Sequence, residues 1–426
     1  MTKDNLKYRA YIDILREELV PAMGCTEPIA LAYGAAKARE VLGAMPDKVV
    51  IGASGSIIKN VKSVIVPNTD HMKGIPAAAV AGIVGGDASK ELEVIAHVTP
   101  EQIAEMRTFL DRTPVTVEHV DNGLTFEILI TLYKGEEYAK VRIVNYHTNI
   151  VLIEKNGEVL KEVKVDGEGE SGLTDRSILN IEDILDFAET VDVNDIHDIL
   201  ARQIQYNTAI AEEGLRGNYG SNIGSVLLDT YGDSNVMVRA KAMAAAGSDA
   251  RMNGCELPVI INSGSGNQGM TTSLPVIEYA KELQVSEEKL YRALAVANLV
   301  TIHQKTSIGR LSAFCGAVSA GAGAGAGIAY LLGTDVDGIS HTVANALATT
   351  GGIVCDGAKA SCASKIATAV EAGIMGYTMH VKNNNFQPDD GLVGETPEET
   401  IANIGRLGKQ GMKHTNEEII KIMVGE

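Results

Sequence analysis

The first 45 residues carry the hydrophobic spacing of two helices. In residues 7–20 the apolar side chains fall near one face and the charged ones on the opposite face, which predicts an amphipathic helix that ends at Pro21. The turn GCTEP follows it. Residues 29–43 then predict a second helix, which is rich in Ala and Gly and is closed by Gly43.

Residues 46–180 carry a strand pattern instead. Runs of β-branched residues bounded by Gly, Ser or Pro predict strands. These runs lie at residues 48–57, 62–69, 91–99, 113–120, 125–144 and 149–165. The last two contain KGEE and KNGE, which predict hairpin turns. The segment is therefore expected to form an α+β domain with a mainly antiparallel sheet, and to have an exposed loop at residues 165–173.

From residue 181 onward the pattern is almost entirely helical, with Gly-rich breaks between helices. No repeat of fixed period is visible in the sequence, which disfavours a solenoid. We therefore predict an α+β protein with two domains. Residues 1–45 and 181–426 form a mostly helical domain that would carry the chemistry, and residues 46–180 form the smaller α+β domain.

Charge and composition narrow the class of protein. A formal net charge of -18 excludes nucleic acid as the main partner, because phosphate binding needs clustered Lys and Arg. The charged N-terminus lacks the apolar run of a signal peptide, and an odd count of 5 cysteines favours free or metal-bound thiols in the cytoplasm. Residues 311–335 are long and almost uncharged, but their Ala, Gly and Ser content predicts a helix buried in the protein and not in a membrane.

Three of the cysteines lie in small-residue surroundings near the C-terminal end. Cys355 and Cys362 are separated by a Gly- and Ala-rich stretch, and Cys315 precedes them. The close cysteine pairs of structural zinc sites are missing from the sequence, and a disulfide would be unusual in a cytoplasmic chain. An iron–sulfur cluster held by three thiolates and simple packing of buried thiols both remain open.

The other two cysteines differ in their surroundings. Cys25 lies in the GCTEP turn at a predicted helix start, where the helix dipole and nearby Lys or Arg would lower the pKa of its thiol. It could then act as a nucleophile, a general base or a fourth cluster ligand, whereas a packed thiol is the alternative. Cys255 has no such companion and is expected to be structural.

A Gly/Ser-rich loop and a group of cations are candidates for binding. The loop NSGSGNQG at residues 262–269 precedes a predicted helix, so its backbone N–H groups could hold an anion. It lacks the lysine of a nucleotide-binding P-loop, which favours a carboxylate ligand. His303 and Lys305 lie just before Cys315 and could hold the same carboxylate or offset the negative charge of a cluster.

Four stretches resemble a known enzyme family. They are MGCTEPIALAYGAA, NSGSGNQG, IGRLSAFCGAVSAGAGAGAGIAYL and GGIVCDGAKASCASKIATAVEAG. Together and in this order they resemble the iron–sulfur-dependent L-cysteine desulfidases, relatives of the bacterial iron–sulfur L-serine dehydratases. The resemblance covers essentially the whole chain and is most specific in the last two stretches.

The resemblance implies roles for individual residues. Cys315, Cys355 and Cys362 would be the ligands of a [4Fe–4S] cluster, and Cys25 would be the catalytic base. The loop would hold the substrate carboxylate, which adds the candidates Asn262, Ser263, Gly264, Ser265, Gly266, Asn267 and Gln268. Two features depart from the serine dehydratases: the last two ligand cysteines are closer together, and GCTEP replaces a Ser-rich SSSHT loop. Both features favour cysteine over serine as the substrate.

The implied activity is a carbon–sulfur lyase that needs no pyridoxal phosphate. It would convert L-cysteine to pyruvate, ammonia and sulfide, with the side-chain sulfur on an open iron and a base at the α-proton. A dehydratase acting on L-serine or another β-substituted amino acid, and a non-catalytic cluster-bearing cysteine sensor, are the alternatives. The expected partners are a small amino acid and a second copy of the chain in a homodimer.

Overall fold

The computed structural model describes residues 1–165 and 173–424. Most of the loop predicted at residues 165–173 lies outside this part of the chain. The helices are Leu6–Glu18 (α1), Thr26–Leu42 (α2), Gly55–Val61 (α3), Gly74–Gly85 (α4), Pro100–Arg112 (α5), Ile181–Thr190 (α6), His197–Arg216 (α7), Ile223–Tyr231 (α8), Val236–Met252 (α9), Gly266–Leu283 (α10), Glu287–Ile308 (α11), Gly316–Leu331 (α12), Val336–Thr350 (α13), Cys362–Val381 (α14), Pro397–Arg406 (α15) and Lys413–Val424 (α16). The strands are Pro21–Met23 (β1), Lys48–Ala53 (β2), Val115–His119 (β3), Glu127–Lys134 (β4), Glu137–Val144 (β5), Ile150–Lys155 (β6), Glu158–Glu162 (β7) and Pro258–Ile260 (β8).

The two N-terminal helices confirm the prediction from hydrophobic spacing. Asn5 caps α1 by accepting a hydrogen bond from the backbone of Lys7. Helix α2 ends at Gly43, which has the left-handed φ of 78° that a residue with a side chain adopts only at a cost. Helix α1 docks on α6 through edge contacts between aromatic rings, with the Tyr11 and Phe187 centroids 5.3 Å apart.

The larger sheet has six strands in the order β3-β2-β4-β5-β6-β7. Only the β2–β3 pair is parallel, so the sheet is mainly antiparallel, as predicted. The hairpins β4–β5 and β6–β7 turn at the predicted KGEE and KNGE sequences. Helix α2 covers one face, where Gly34 lies against the side chains of Ile130 and Ile143. The predicted α+β class is therefore confirmed.

Two predicted strands are wrong. Residues 91–99 lie partly in a 3-10 helix, Ala88–Glu93, whose Glu91 has a φ of 47° that breaks any extended run. Residues 62–69 contribute only an isolated bridge between Ile65 and Lys73. Both segments contain short apolar runs that are partly buried, and hydrophobicity alone does not distinguish a buried strand from a buried turn.

Helix α12 is the centre of the helical layer and packs against α10, α11, α13 and α14. Its glycines allow this helix to cross its neighbours at short distance. A Cβ on Gly321 would lie 2.3 Å from the carbonyl oxygen of Ala369 on α14, and one on Gly325 would lie 2.6 Å from the oxygen of Gly373. Across residues 1–165 and 173–424, α12 and the other helices all fall short of the length and apolar character that crossing a membrane requires.

A side chain at Gly321 should destabilise the whole helical layer. The atom that a valine would strike is a backbone oxygen, so relief requires α12 and α14 to move apart. We expect Gly321→Val to lower the free energy of unfolding by about 3 kcal/mol, measured by urea denaturation. Gly352→Ala is the matched control, because its new Cβ would meet no described atom within 4 Å. Equal urea midpoints for the two variants would contradict this account of the packing.

A short two-stranded sheet brings distant parts of the chain together. Strand β1 pairs with β8 in antiparallel register, with Pro21 opposite Ile260 and Met23 opposite Pro258. The GCTEP turn follows β1, and the Gly/Ser-rich loop follows β8. One continuous cluster of buried apolar side chains includes members of the sheet and of the helices. The division into domains at residues 45 and 181 stays a prediction.

Candidate active site

The three C-terminal cysteines lie at the ends of neighbouring segments. Cys315 is the residue before α12, Cys355 lies in the connection between α13 and α14, and Cys362 is the first residue of α14. The Cys315 N–H donates to the Ile353 oxygen at 3.1 Å, and the Cys355 N–H donates to the Ala313 oxygen at 2.6 Å. These reciprocal bonds hold two of the cysteines side by side, and all three are half-buried.

The thiols lie close enough to affect one another. Burial raises the pKa of Cys315 to about 12, and the neighbouring Cys355 and Cys362 add to that rise. Burial likewise raises the pKa of Cys362, with a further contribution from Cys355. Three uncompensated thiolates would therefore be unfavourable here, so a group that binds them as thiolates must bring positive charge.

Lysines surround the three thiols. Lys59 on α3 donates to the Cys355 carbonyl at 3.3 Å, and Lys365 on α14 donates to the Val354 carbonyl at 3.0 Å. Lys305 on α11 is buried beside Cys315 and Cys355; burial lowers its pKa to about 8, although the two cysteines oppose this shift. The cations can offset the negative charge of a group held by the cysteines.

Three thiols from separate segments are the kind of donor set that holds an iron–sulfur cluster. Within the described ranges no three His, Cys, Asp or Glu side chains have the spacing of a metal-ion site. A cubane cluster is wider than one ion, and its thiolate ligands come from separate segments. Three half-buried thiols flanked by lysines match that requirement.

Cys25 lies at the start of α2 in a separate group of buried polar side chains. Its thiol donates to Oε2 of Glu27 at 3.0 Å. The Thr26 hydroxyl donates to the same oxygen at 3.2 Å and to the Gly264 carbonyl at 2.9 Å. The Asn60 amide donates to the other Glu27 oxygen, Oε1, at 2.9 Å.

The expected lowering of the Cys25 pKa is wrong. Burial raises the pKa of this thiol well above its ordinary value, and the Glu27 carboxylate raises it further, although Arg251 opposes the rise. Burial alone would also raise the pKa of Glu27, but His147, the bond from Cys25 and Arg251 together lower it. At neutral pH the pair is therefore a thiol beside a carboxylate.

Helix α3 joins the two groups. Its neighbouring residues Lys59 and Asn60 reach Cys355 and Glu27 respectively. The fit is tight, since a Cβ on Gly357 would lie 2.5 Å from the Lys59 carbonyl oxygen. The strand predicted at residues 48–57 ends at Ala53, and the short helix α3 that follows it connects the two halves of the site.

The Gly/Ser-rich loop forms a tight turn before α10. Asn262 and Ser265 exchange two backbone hydrogen bonds of 3.1 Å, and Ser263 and Gly264 between them have φ values of 49° and 81°. Two successive residues with positive φ are characteristic of a type I′ turn. The Asn262 amide donates to Asn298 at 3.0 Å, which fixes the turn to α11.

The first turn of α10 connects both halves of the site. Arg251 on α9 donates to Oδ1 of Asn267 at 3.2 Å, and its Nε would lie 2.4 Å from a Cβ on Gly266. The Gln268 side chain packs on Gly316, directly after Cys315. The backbone N–H groups at this end of α10 lie in the positive region of the helix dipole.

The two predicted cationic residues, Lys305 and His303, lie in different parts of the structure. Lys305 lines the same cavity as Ser263. His303 instead places Nε2 at 2.7 Å from Oε2 of Glu398 on α15. The structure therefore brings Lys305 to the cysteines and the loop, and it places His303 in a contact with another helix.

A cavity of about 790 Å³ opens beside the turn and α11. Glu18, Ser263, Lys305 and Arg310 are among its lining residues. Burial would raise the pKa of Glu18, but the guanidinium groups of Arg310 and Arg176 outweigh that effect and lower it. The Arg310–Glu18 contact is 2.8 Å long. The cavity is large enough to admit a small amino acid, but Cys25, Glu27 and the three C-terminal cysteines are not among its lining residues.

Four buried polar atoms near these residues have no hydrogen-bond partner among the described residues. They are Asn60 Oδ1, His147 Nε2, Arg251 Nε and Gln268 Oε1. His147 lies against Gly264, and burial lowers its pKa to about 4, so its ring is neutral at physiological pH. Such unpaired groups are costly unless a ligand satisfies them.

Sequence reasoning missed several of these residues. Glu27 lies in the GCTEP turn, where its spacing from Cys25 was a usable signal. His147, Asn60 and Arg251 come from β5–β6, α3 and α9, and nothing local in the sequence places them beside residue 25.

Taken together, fold and site define an α+β protein with a thiol- and lysine-rich centre at the N-terminal ends of its core helices. The sequence profile of the "Serine dehydratase alpha chain" family matches residues 89–421. The chain belongs to this family, and the predicted relationship to the serine dehydratases is confirmed. Membership indicates a lyase.

Similar proteins from bacteria match nearly the full length of this chain. The UPF0597 protein of Desulfitobacterium hafniense is 59% identical over 100% of this chain and 99% of its own length. The UPF0597 protein of Treponema denticola is 47% identical over 100% of both chains. That of Aeromonas hydrophila is 39% identical over 97% of this chain and 95% of its own length.

Proposed function

We propose that this protein is an iron–sulfur-dependent L-cysteine desulfidase, which converts L-cysteine to pyruvate, ammonia and sulfide by a non-redox α,β-elimination. The observation that carries the proposal is the connection, through Lys59 and Asn60, between three clustered thiols and the buried Cys25–Glu27 pair. Family membership supports elimination on a β-substituted amino acid, and the resemblance of the GCTEP turn supports cysteine in particular.

Cys315, Cys355 and Cys362 would hold a [4Fe–4S] cluster. When bound, the cluster would supply a Lewis-acidic iron without a protein ligand, which makes sulfide a better leaving group. Lys59, Lys305 and Lys365 would offset its negative charge. The helix N-terminal ends at Cys315 and Cys362 favour anionic ligands in the same way.

The unpaired buried atoms suggest how the chain would hold a free amino acid. Arg251 Nε can donate to the substrate carboxylate together with the N–H groups at the start of α10, and neutral His147 can donate if its proton is on Nε2. Asn60 Oδ1 and Gln268 Oε1 are acceptors suited to the ammonium group. Cys25 would receive the α-proton, and the resulting aminoacrylate hydrolyses to pyruvate and ammonia.

L-serine is the second candidate substrate, because the matching family is that of the serine dehydratases. Anaerobic assays of the iron-loaded protein should yield pyruvate and sulfide in equal amounts from L-cysteine, and pyruvate more slowly from L-serine. N-acetyl-L-cysteine should be inert, since it lacks the ammonium group that Asn60 and Gln268 would bind. Faster turnover of L-serine would favour the dehydratase, and binding of L-cysteine without product would favour a cysteine sensor.

Three further expectations stay proposals. We expect the chain to form a homodimer and to act in the cytoplasm. We also expect residues 46–180 to behave as a domain that covers one side of the active-site cleft. Light scattering of the purified protein measures the first, and limited proteolysis at the two boundaries tests the last.

A further inference from the structure

We propose that Glu27 is the positioning residue of the elimination: it receives, through Cys25, the proton that leaves the substrate Cα. The inference rests on the proposed function and adds a residue and a proton path to it. The contact that suggests it is the 3.0 Å hydrogen bond from the Cys25 thiol to Glu27 Oε2. A lone cysteine in an apolar setting would have no such acceptor.

The Glu27 carboxylate is held in one orientation. Oε2 accepts from Cys25 and from the Thr26 hydroxyl, and Oε1 accepts from the Asn60 amide. The residue is 7% exposed and belongs to the first turn of α2, where the helix dipole favours a negative charge. The acceptor oxygen therefore points at the sulfur before any substrate binds.

The charged and titratable groups around the pair do not favour a free thiolate. Glu27 itself comes from α2, Arg251 from α9, His147 from the β5–β6 connection and Lys59 from α3. Burial and the Glu27 charge keep Cys25 protonated, with Arg251 as the main opposing charge. The thiolate form of Cys25, which forms only when the thiol loses its proton to water, would therefore be rare in the resting protein.

A proton relay through the Cys25 sulfur does not require the thiolate to be populated. The substrate Cα–H bond breaks and a new S–H bond forms on Cys25, while the original S–H bond breaks and an O–H bond forms on Glu27. The electron pair of the Cα–H bond becomes the Cα=Cβ bond, and the Cβ–S pair departs with the sulfide. No electron is gained or lost by the protein, and the proton is stored on Glu27 until product leaves.

Two simpler roles for Glu27 predict different results. If it only stabilised the start of α2, Glu27→Gln would affect stability and not kcat. If a Cys25 thiolate acted alone as the base, removing the neighbouring negative charge would increase its population and would maintain or raise turnover. The relay alone predicts that Glu27→Gln increases the thiolate population and yet lowers turnover.

The first test measures turnover at equal iron content. Glu27→Gln should lower kcat for L-cysteine by about 10²- to 10⁴-fold with KM changed only a few-fold, and Glu27→Asp should retain more activity. Glu278→Gln is the matched control: Glu278 is also buried and paired, with Lys281 at 2.7 Å, but lies about 18 Å farther along α10 from Gly266. The control should keep the wild-type kcat, and wild-type turnover by Glu27→Gln would overturn the proposal.

The second test does not depend on activity. Thiolate absorbance in the ultraviolet is titrated for the wild type and for Glu27→Gln, and each curve is corrected with the same protein carrying Cys25→Ala. The wild-type Cys25 signal should appear only at alkaline pH, and in Glu27→Gln it should shift to lower pH. A wild-type thiolate at neutral pH, or coincident curves, would overturn the coupling. If the wild type eliminates no amino acid, the proposed function fails and this titration still decides whether Glu27 controls Cys25.

Discussion

Cys355→Ser should leave the purified protein without stoichiometric iron and without lyase turnover. A serine hydroxyl is a poor ligand for iron compared with a thiolate, and Cys355 is close enough to influence the pKa of both Cys315 and Cys362. Changes to the partners of metal ligands already cost about 10- to 100-fold in metal affinity or activity, so the loss of a ligand should cost more. Iron and acid-labile sulfide per chain, measured after anaerobic purification, give the result directly.

The same loss is expected for Cys315→Ser and Cys362→Ser. Cys255→Ser is the matched control, because Cys255 is a buried free cysteine that has no place among the three. It should keep both iron and turnover. Iron at the wild-type level in Cys355→Ser would remove this residue from the ligand set.

Cys25→Ala should show whether Cys25 acts as the base or as a cluster ligand. We expect kcat to fall by about 10²- to 10⁴-fold, since the substrate proton loses its acceptor and its path to Glu27. Iron content should stay at the wild-type level, because the Cys25 thiol donates to Glu27 and is proposed as the base and not as a cluster ligand. Parallel measurement of iron, pyruvate and sulfide distinguishes the two effects.

Cys25→Ser sharpens this comparison. A hydroxyl can also pass a proton between two partners, so this variant should retain more turnover than Cys25→Ala. Loss of iron from either variant would instead make Cys25 a fourth cluster ligand. Full turnover by Cys25→Ala would exclude it from the proton path altogether.

The sequence predicted those parts of the fold that depend on local spacing. The small-residue helix α12, the hairpins of the sheet and the stop at Gly43 each follow from residues close together in the chain. The failed strand at residues 91–99 shows the limit of that reasoning. Its apolar side chains are buried by tertiary contacts, while Asp87 caps a 3-10 turn by accepting from Ser89.

The sequence likewise predicted some features of the candidate site and not others. Cysteine spacing, together with the family resemblance, led to Cys315, Cys355, Cys362 and Cys25. The environment of Cys25 could not be predicted, because its acceptor Glu27 is fixed by Asn60 of α3 and influenced by Arg251 of α9. The thiol pKa depends on burial and on those tertiary neighbours, so the helix-start argument alone gave the wrong sign.

The central claim is that an iron–sulfur cluster on three cysteines supports elimination without redox change. The most direct measurement is the iron and sulfide content, visible absorbance and L-cysteine turnover of one anaerobic preparation before and after exposure to air. The account predicts cluster absorbance and turnover that are present together and lost together on oxidation. Iron-free protein without visible absorbance that still releases pyruvate and sulfide from L-cysteine would contradict it.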